Sequence, residues 1–260
     1  MALDLDGTVI GRDLLIRPAV RAAISGLLAR GVLVGLVTGR MYVSSRPFAE
    51  DLGLTLPLVC YQGALIREMT GEQRVLRHSP TPLRLAHEIA RFAQANDLTM
   101  HVYLDDCAYT ARSTANSAFY AELNKIEVVE VGDLVRFLRR RPTKIVFISG
   151  EEGAAGIAAE LASRWGTVAQ VVQSNARFAE VTALGVSKGS ALRALARRLG
   201  IRRSEIVAIG DQDNDRSLLE AAGLGIAMGN AIPALQELAT LVAPPVTEDG
   251  VAWAIDRVFG

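Results

Sequence analysis

Three apolar runs, each ended by glycine or polar residues, constrain the fold of this chain more than any other feature of its sequence. The runs are residues 32–37, 206–209 and 224–228. Strands that are buried on both faces of a parallel sheet have such continuous apolar stretches. Open sheets of this kind bind their ligands outside the carboxyl ends of the strands. The residues that follow each run therefore mark the expected site.

Amphipathic helices are predicted between these strands. Pro18 begins a stretch whose apolar residues recur at helical spacing, and Pro is well tolerated in a first helical turn. A second such stretch follows Ser187, which is suited to capping a helix. Strands that alternate with helices predict an α/β fold with a Rossmann-like, doubly wound parallel sheet.

The middle of the chain has a different pattern. Pro80 and Pro82 break the sequence, and helical and extended stretches follow in another order. We therefore expect residues 79–181 to form an inserted α/β domain. Residues 1–78 plus 182–260 would form the core domain.

The first group with chemical potential is the segment Asp4-Leu5-Asp6-Gly7-Thr8. Two carboxylates that lie two residues apart at a strand end can share one metal and one substrate, so that one attacks and the other moves a proton. Gly7 permits the tight turn that brings backbone N–H groups to an anion. The same residue types are common in surface turns, so this segment gains weight only with the others.

Two further groups suit a phosphate. Thr38 and Gly39 follow the first apolar run and offer a hydroxyl and backbone N–H groups. Lys188 stands at the start of a helix, where the helix dipole disfavours a cation unless an anion binds nearby. Each signal is weak alone, because Thr-Gly is ordinary after a strand and an exposed lysine tolerates a small penalty.

The fourth group follows the second apolar run, where Asp211, Asp213 and Asp215 alternate with amide residues. Clustered carboxylates repel one another unless a cation is bound, and hard oxygen ligands fit magnesium. A calcium loop of the EF-hand type is excluded, because Arg216 stands where that loop needs glycine and Ala222 where it needs glutamate.

Composition limits which partners and which cellular compartment are expected. Lys plus Arg and Asp plus Glu both number 28, so the formal net charge is zero. A nucleic-acid binder usually carries a basic excess, so we expect no nucleic-acid partner. The two cysteines favour a reducing compartment, and no stretch has the length and hydropathy of a membrane span. The expectation is a cytoplasmic protein with no membrane partner, and its oligomeric state stays open.

Taken together and in this order, the four groups resemble the haloacid dehalogenase (HAD) superfamily of phosphotransferases. The closest likeness is to the Cof-type branch, which has an inserted cap domain of type IIB, and it runs nearly end to end. The resemblance implies a magnesium-dependent phosphatase of small phosphorylated metabolites, with sugar phosphates as the first expectation. An aspartyl-phosphate would be the intermediate.

The resemblance also implies roles for single residues. Asp4 would be the nucleophile, and Asp6 the general acid and base. Magnesium would bind to the Asp4 carboxylate, the Asp6 backbone carbonyl and Asp211, with Asp215 in support. The phosphoryl group would be bound by four residues, which are Thr38, Gly39, Lys188 and Asn214.

Two positions depart from the family pattern. Only three residues precede Asp4, which leaves room for a first strand shorter than usual. Gln62 stands where the branch usually has Asn, and it keeps the amide but adds a methylene.

Other functions stay open from the sequence. One is a phosphomutase or a dedicated sugar-phosphate phosphatase of a related branch. Another is a catalytically silent phosphate-binding module, against which the intact Asp4 and Asp6 argue. Because the insert falls between Arg40 and Lys188, we also expect residues 79–181 to act as a mobile lid that reads the leaving group.

Overall fold

The computed structural model describes residues 1–151 and 153–260. The chain divides into two compact units. The first combines Met1–Leu76 with Ser187–Gly260, and the second is Arg77–Val186. Among the described residues, no helix has both the length and the apolar character needed to cross a bilayer.

The first unit contains a five-stranded sheet in which every pair of neighbours is parallel. Its strands are β1 (Ala2–Leu3), β2 (Gly35–Leu36), β12 (Val207–Gly210), β13 (Leu224–Ala227) and β14 (Leu241–Val242). Their order across the sheet is β14-β13-β12-β1-β2. The two-residue β1 therefore lies between β2 and β12, and all three carboxyl ends open at one edge. The predicted parallel α/β sheet is confirmed.

A smaller three-stranded sheet adjoins this one. It is formed by β3 (Leu58–Cys60), β4 (Leu65–Arg67) and β5 (Val75–His78). A parallel bridge between Val37 and Val59 joins β3 to the chain just beyond β2. The carboxyl end of β3 is thereby drawn to the same edge as β1 and β2.

Helices connect the strands of the first unit, and their ends follow ordinary capping rules. They are α1 (Pro18–Ala29), α2 (Tyr42–Asp51), α7 (Lys188–Leu199), α8 (Arg216–Ala221), α9 (Pro233–Leu238) and α10 (Gly250–Phe259). Pro18 occupies the first turn of α1. Ser187 caps α7, since its hydroxyl accepts from the backbone N–H of Ser190 and that residue's hydroxyl accepts in return.

The second unit is built on a six-stranded sheet with the order β10-β11-β9-β6-β7-β8. Its strands are β6 (Thr99–Leu104), β7 (Cys107–Thr110), β8 (Val128–Glu130), β9 (Ile145–Ile148), β10 (Ala169–Asn175) and β11 (Phe178–Ala183). Its helices are α3 (Leu83–Ala95), α4 (Ala115–Asn124), α5 (Leu134–Phe137) and α6 (Ala154–Trp165). Its core includes the fully buried side chains of Ile89, Val102, Phe147 and Leu161.

Two details of this unit differ from the pattern read in the sequence. The sequence predicts one extended stretch over residues 99–110, but this stretch is a hairpin of β6 and β7, because Asp105 and Asp106 have φ angles of 51° and 62° and turn the chain. The sequence also predicts a strand over residues 178–181, but β11 continues to Ala183, because it stays paired with β10 up to that residue.

Candidate active site

Asp4 lies at the carboxyl end of β1, where the sheet places it and a tight loop encloses it. Its backbone N–H donates to the carbonyl of Ile209 at 3.0 Å, which continues the pairing of β1 with β12. The chain then turns back at once, since Gly7 N–H donates to Ile10 O at 2.8 Å. Gly7 has a φ of +80°, which a side chain would strain. The Asp4 side chain is buried.

Lys188 places a buried ammonium group at this edge. Its Nζ lies 2.6 Å from Asp4 Oδ1 and 2.6 Å from Asp215 Oδ1, and all three side chains are buried. Asp215 is fixed in turn, because its Oδ2 accepts from the backbone N–H groups of Asp211 and Gln212, each at 3.0 Å. The start of α7 and the loop after β12 are therefore joined through one ammonium group.

Asp211 completes a cluster of three buried carboxylates. One oxygen from each of Asp4, Asp211 and Asp215 lies within 4.8 Å of the other two. Thr8 Oγ1 donates to Asp211 Oδ1 at 3.2 Å, and Gln212 Nε2 donates to Oδ2 at 3.0 Å. Three carboxylates thus face one ammonium, so two negative charges stay unbalanced when all of them are ionised.

Burial and the excess negative charge change the pKa values of the groups in this cluster. Burial, followed by the charge of Asp215, raises the pKa of Asp4 well above its ordinary value, and Lys188 opposes this only in part. Burial and then Asp215 raise the pKa of Asp211 to about 7. Burial alone would lower the pKa of Lys188, but Asp215 and Asp4 outweigh it and raise that pKa. The lysine is therefore charged, and its single positive charge does not balance the three carboxylates.

This donor set fits a hard divalent cation. The available ligands are carboxylate oxygens, which hard cations prefer, and a double positive charge would balance the two excess negative ones. Space is kept beside the cluster as well. A Cβ on Gly7 would lie 2.2 Å from Asp211 Oδ2, so glycine leaves that approach to the carboxylate open.

Asp6, two residues after Asp4, points to a different partner. Arg40 Nε and Nη2 donate to its two carboxylate oxygens at 2.8 and 2.6 Å. The Arg40 side chain is only 4% exposed, whereas that of Asp6 is 49% exposed. A buried, planar guanidinium therefore holds a solvent-accessible carboxylate in one orientation.

Thr38 and Gly39 begin the turn after β2, next to β3. Thr38 N–H donates to Val59 O at 2.8 Å, and Thr38 Oγ1 accepts from the backbone N–H of Arg40 at 3.1 Å. The hydroxyl proton of Thr38 thus stays available for an anion. Gly39 lies directly against the Gln62 amide, since a Cβ there would lie 2.5 Å from Gln62 Nε2 and would displace that side chain.

Asn214, the last residue of the predicted phosphate set, is held by Gln62. Asn214 Nδ2 donates to Gln62 Oε1 at 3.0 Å. By contrast, Asp213 on the same loop is exposed, and its nearest cation is Arg216 at 3.7 Å. The 3₁₀ turn Asp213–Asp215 therefore leaves Asp213 exposed, while Asp211 and Asp215 are buried.

The structure thus brings together at one edge all eight residues predicted from the sequence. It also shows contacts there for Arg40 and Gln62, neither of which was among the predicted catalytic, phosphate-binding or metal-binding residues. The signal for Arg40 was present, because it directly follows the Thr-Gly pair. The only signal for Gln62 in the sequence is its departure from the family pattern. Its contacts depend on a turn that the sequence does not predict.

Comparison with known proteins places the chain in a family. A family model for haloacid dehalogenase-like hydrolases matches residues 1–255. The HMP-PP phosphatase of Serratia proteamaculans is 30% identical over 237 residues, which cover 91% of this chain and 86% of that protein. The Bacillus subtilis protein named 5-amino-6-(5-phospho-D-ribitylamino)uracil phosphatase is 28% identical, covering 100% of this chain and 97% of its own length.

Solved structures agree with the sequence relatives. A haloacid dehalogenase-like hydrolase from Bacteroides thetaiotaomicron superposes with a TM-score of 0.88 at 28% identity, and the match covers 99% of this chain and 98% of that one. The family model and a relative at 30% identity both extend over nine-tenths or more of the chain. The resemblance predicted from the motifs is confirmed, and the chain belongs to the haloacid dehalogenase-like hydrolases.

Proposed function

We propose that this protein hydrolyses phosphate monoesters of small metabolites and that Asp4 is its nucleophile. The observation that carries the proposal is the position of Lys188, whose ammonium lies 2.6 Å from Asp4 within a cluster of buried carboxylates. Phosphoryl transfer depends on positioning and on neutralised charge. A buried lysine beside a carboxylate provides both for an incoming phosphoryl group.

The reaction has two steps on this chain. An oxygen of the Asp4 carboxylate attacks phosphorus, and the bond from phosphorus to the leaving oxygen breaks. Asp6, protonated, gives its proton to that oxygen. In the second step Asp6 takes a proton from water, whose oxygen attacks the aspartyl-phosphate, and release of inorganic phosphate restores the Asp4 carboxylate. Arg40 orients Asp6 through two hydrogen bonds to its ionised carboxylate, the form that takes the proton from water.

The phosphoryl oxygens would be bound by the groups that end at the same edge of the sheet. Lys188 supplies a charge, and Thr38 supplies a hydroxyl proton that no acceptor inside its own turn takes. The remaining members of the set are the Gly39 turn and the Asn214 amide. All of these groups donate to oxygen, which suits a dianion.

The divalent cation is proposed to be Mg²⁺, bound by Asp4, the backbone carbonyl of Asp6 and Asp211, with Asp215 in support. Magnesium favours oxygen ligands and phosphate substrates, which matches this donor set. When bound, it would neutralise charge on the phosphoryl oxygens in the transition state. Asp215 is the least direct of the four, because its oxygens already accept from Lys188 and from two backbone N–H groups.

The substrate class follows from the relatives. One is named for a phosphatase of HMP-PP and another for a phosphatase of a ribitylaminouracil phosphate. These names share a small phosphorylated metabolite and differ in the group that carries the phosphate. We therefore propose a small phosphorylated metabolite as substrate, with sugar phosphates as the first class to test, and a cytoplasmic setting.

The inserted unit, residues 77–186, is proposed to discriminate between leaving groups. It has a hydrophobic core of its own, so it can vary without disturbing the sheet that carries Asp4. This role stays a prediction. Substitutions on the surface of this unit that change kcat/KM between metabolites, and leave a small aryl phosphate unaffected, would support it.

A single experiment tests the proposed function. Purified protein is incubated with magnesium and an aryl phosphate, and then with a panel of phosphorylated metabolites, and released phosphate is measured. Turnover that is lost in Asp4→Asn supports the proposal. A wild-type protein that binds inorganic phosphate but releases none from any ester would point instead to a phosphate-binding module. Conversion of a phosphate ester into its isomer would point to a phosphomutase.

A further inference from the structure

The turn Tyr61–Gly63, directly after β3, is bound through its backbone to the turn of residues 38–40 that follows β2. Tyr61 N–H donates to Arg40 O at 2.9 Å, and Gln62 N–H donates to Thr38 O at 3.1 Å. Tyr61 and Gln62 have φ angles of 54° and 60°, a left-handed conformation that side chains disfavour. Strained residues of this kind persist where the surrounding structure holds them, and they concentrate at functional sites.

The side chain of Gln62 connects the turn at Gly39 with the loop that carries Asn214. It is buried against Gly39, since a Cβ on that glycine would lie 2.5 Å from Gln62 Nε2. Its Oε1 accepts from Asn214 Nδ2 at 3.0 Å. The next residue, Gly63, packs against Ser187 at the start of α7, where a Cβ would meet the carbonyl oxygen at 2.4 Å. The turn Tyr61–Gly63 thus contacts the turn of residues 38–40, the loop after β12 that carries Asn214, and the start of α7, which carries Lys188.

The amide of Asn214 is satisfied at one end only. Its Nδ2 is bound to Gln62, while its Oδ1 is buried and has no hydrogen-bond partner among the described residues. A buried polar atom without a partner is costly, and native proteins retain few of them. A half turn about the last side-chain bond exchanges the two ends of an amide, and a glutamine amide can meet either end. With Asn214 turned, Nδ2 would occupy the unsatisfied position and would need an acceptor.

We propose that Gln62 is a positioning residue that selects the orientation of the Asn214 amide. In the structure as described, the buried end of that amide is the acceptor, Asn214 Oδ1. When a phosphoryl group binds, the amide pair turns, Asn214 Oδ1 faces Gln62, and Asn214 Nδ2 donates to a phosphoryl oxygen. Gln62 suits this role because its side chain bears both a donor and an acceptor. The inference rests on the proposed function for the identity of the ligand, a phosphoryl group. The contacts between Gln62 and Asn214 do not depend on that function.

The test is a double-mutant cycle read by binding. Affinity for inorganic phosphate in the presence of magnesium is measured by calorimetry for wild type, Gln62→Met, Asn214→Ala and the double variant. Methionine has the length of glutamine without its amide. We expect Gln62→Met to weaken phosphate binding by about tenfold, but by less than about twofold when Asn214 is already alanine. KM and kcat for an aryl phosphate, measured on the same four proteins, should show the same non-additivity.

Two further variants separate side chain from backbone. Gln73 is also a left-handed glutamine, with a φ of 50°, and lies in the turn between β4 and β5. Gln73→Met should leave phosphate affinity unchanged, which controls for strain in such turns. Gln62→Gly suits the left-handed backbone and removes the amide, so it serves if Gln62→Met does not fold, and its effect should likewise vanish beside Asn214→Ala.

The outcomes distinguish this inference from the proposed function. Effects of Gln62 and Asn214 that simply add would overturn the positioning role, even in an active phosphatase. Phosphate affinity that depends on Gln62 only through Asn214, in a protein without turnover, would overturn the proposed function and sustain the inference. A protein that neither binds phosphate nor turns over an ester would refute both.

Discussion

The ammonium of Lys188 and the carboxylate of Asp4 lie 2.6 Å apart, and both side chains are almost fully buried. Burying two charges is costly and is repaid only when the geometry is good and other hydrogen bonds satisfy the groups. Here the lysine also binds Asp215, and the cluster still has more negative than positive charge. Such an arrangement is better explained by the binding of a cation and an anion than by stability of the fold.

Asp4→Asn should abolish turnover and leave the fold intact. Asparagine keeps an oxygen for Lys188 but cannot act as a carboxylate nucleophile. We expect kcat to fall by at least about a hundredfold, which corresponds to a barrier higher by about 3 kcal/mol. Because burial raises the pKa of Asp4, the neutral amide should not lower the melting temperature of the metal-free protein. Steady-state kinetics and thermal unfolding measure both effects.

The control for this substitution is Asp256→Asn, which makes the same chemical change at an exposed position on α10. It should retain wild-type kcat. An acyl-phosphate trapped on a residue other than Asp4 would contradict the nucleophile assignment.

Lys188→Met should damage both activity and stability. It leaves the carboxylates of Asp4 and Asp215 facing each other without their shared cation. Removal of one partner from a buried ion pair typically costs about 3–5 kcal/mol. We expect a loss of that order in the free energy of unfolding, measured by urea denaturation, together with a large fall in kcat.

Lys125→Met is the matched change outside the site, because Lys125 pairs with Glu122 at the protein surface. It should alter neither quantity measurably. A Lys188→Met protein with wild-type stability and kcat would exclude the proposed roles of this lysine.

Arg40→Ala should lower kcat by about tenfold or more, because Asp6 then loses the two hydrogen bonds that fix its orientation. Arg40→Lys should recover little, since an ammonium cannot make the same two-point contact. Arg21 provides the control, because it makes an equally two-point contact with Asp51 on the surface. If Arg40→Ala and Arg21→Ala both keep wild-type kcat, the positioning role of Arg40 is wrong.

Asp4, Thr38 and Asp211 could be predicted from the sequence for a physical reason. Residues that directly follow neighbouring parallel strands must meet at one edge of the sheet, so the order of apolar runs and polar groups already implies their proximity. Ser187 as a helix cap was predictable on similarly local grounds, and the structure confirms it.

Arg40 and Gln62 could not be assigned in this way. The role of Arg40 depends on where a long side chain ends, and that is decided by its burial beneath Asp6. Gln62 depends on a left-handed turn without glycine at its first two residues, which local sequence preferences argue against. The different burial of the three aspartates in the loop after β12 could not be predicted either, because sequence alone gives Asp211, Asp213 and Asp215 equal weight.

Removal of divalent metal should abolish activity reversibly. The buried carboxylates of Asp4 and Asp211 would be left with uncompensated charge against an incoming phosphate. EDTA should therefore stop phosphate release, and added Mg²⁺ should restore it. Ca²⁺ should inhibit, because its larger and looser coordination shell would disturb the alignment of nucleophile and phosphorus. Full activity after exhaustive chelation would refute the metal site.

Asp211 should also link metal binding and stability to pH. Burial, followed by Asp215, raises its pKa from the ordinary value of 3.8 to about 7 in the metal-free fold. The folded protein then binds a proton more tightly than the unfolded chain does. The stability contributed by Asp211 is therefore fully present below its unfolded pKa and is lost as the pH rises through about 7. A metal that binds this carboxylate must displace the proton, so its apparent Kd should rise about tenfold for each pH unit below 7.

The measurement is the melting temperature in EDTA and in Mg²⁺ from pH 5 to pH 8, compared between wild type and Asp211→Asn. The difference between the two proteins isolates Asp211 from other titrating groups. In EDTA, wild type should lose stability relative to Asp211→Asn as the pH rises. In Mg²⁺, wild type should gain stability toward pH 8, whereas the variant should respond weakly. Asp213→Asn, on the same loop but exposed, should follow wild type in both conditions. A wild-type curve parallel to that of Asp211→Asn in both conditions would show that Asp211 neither holds the proton nor binds the metal.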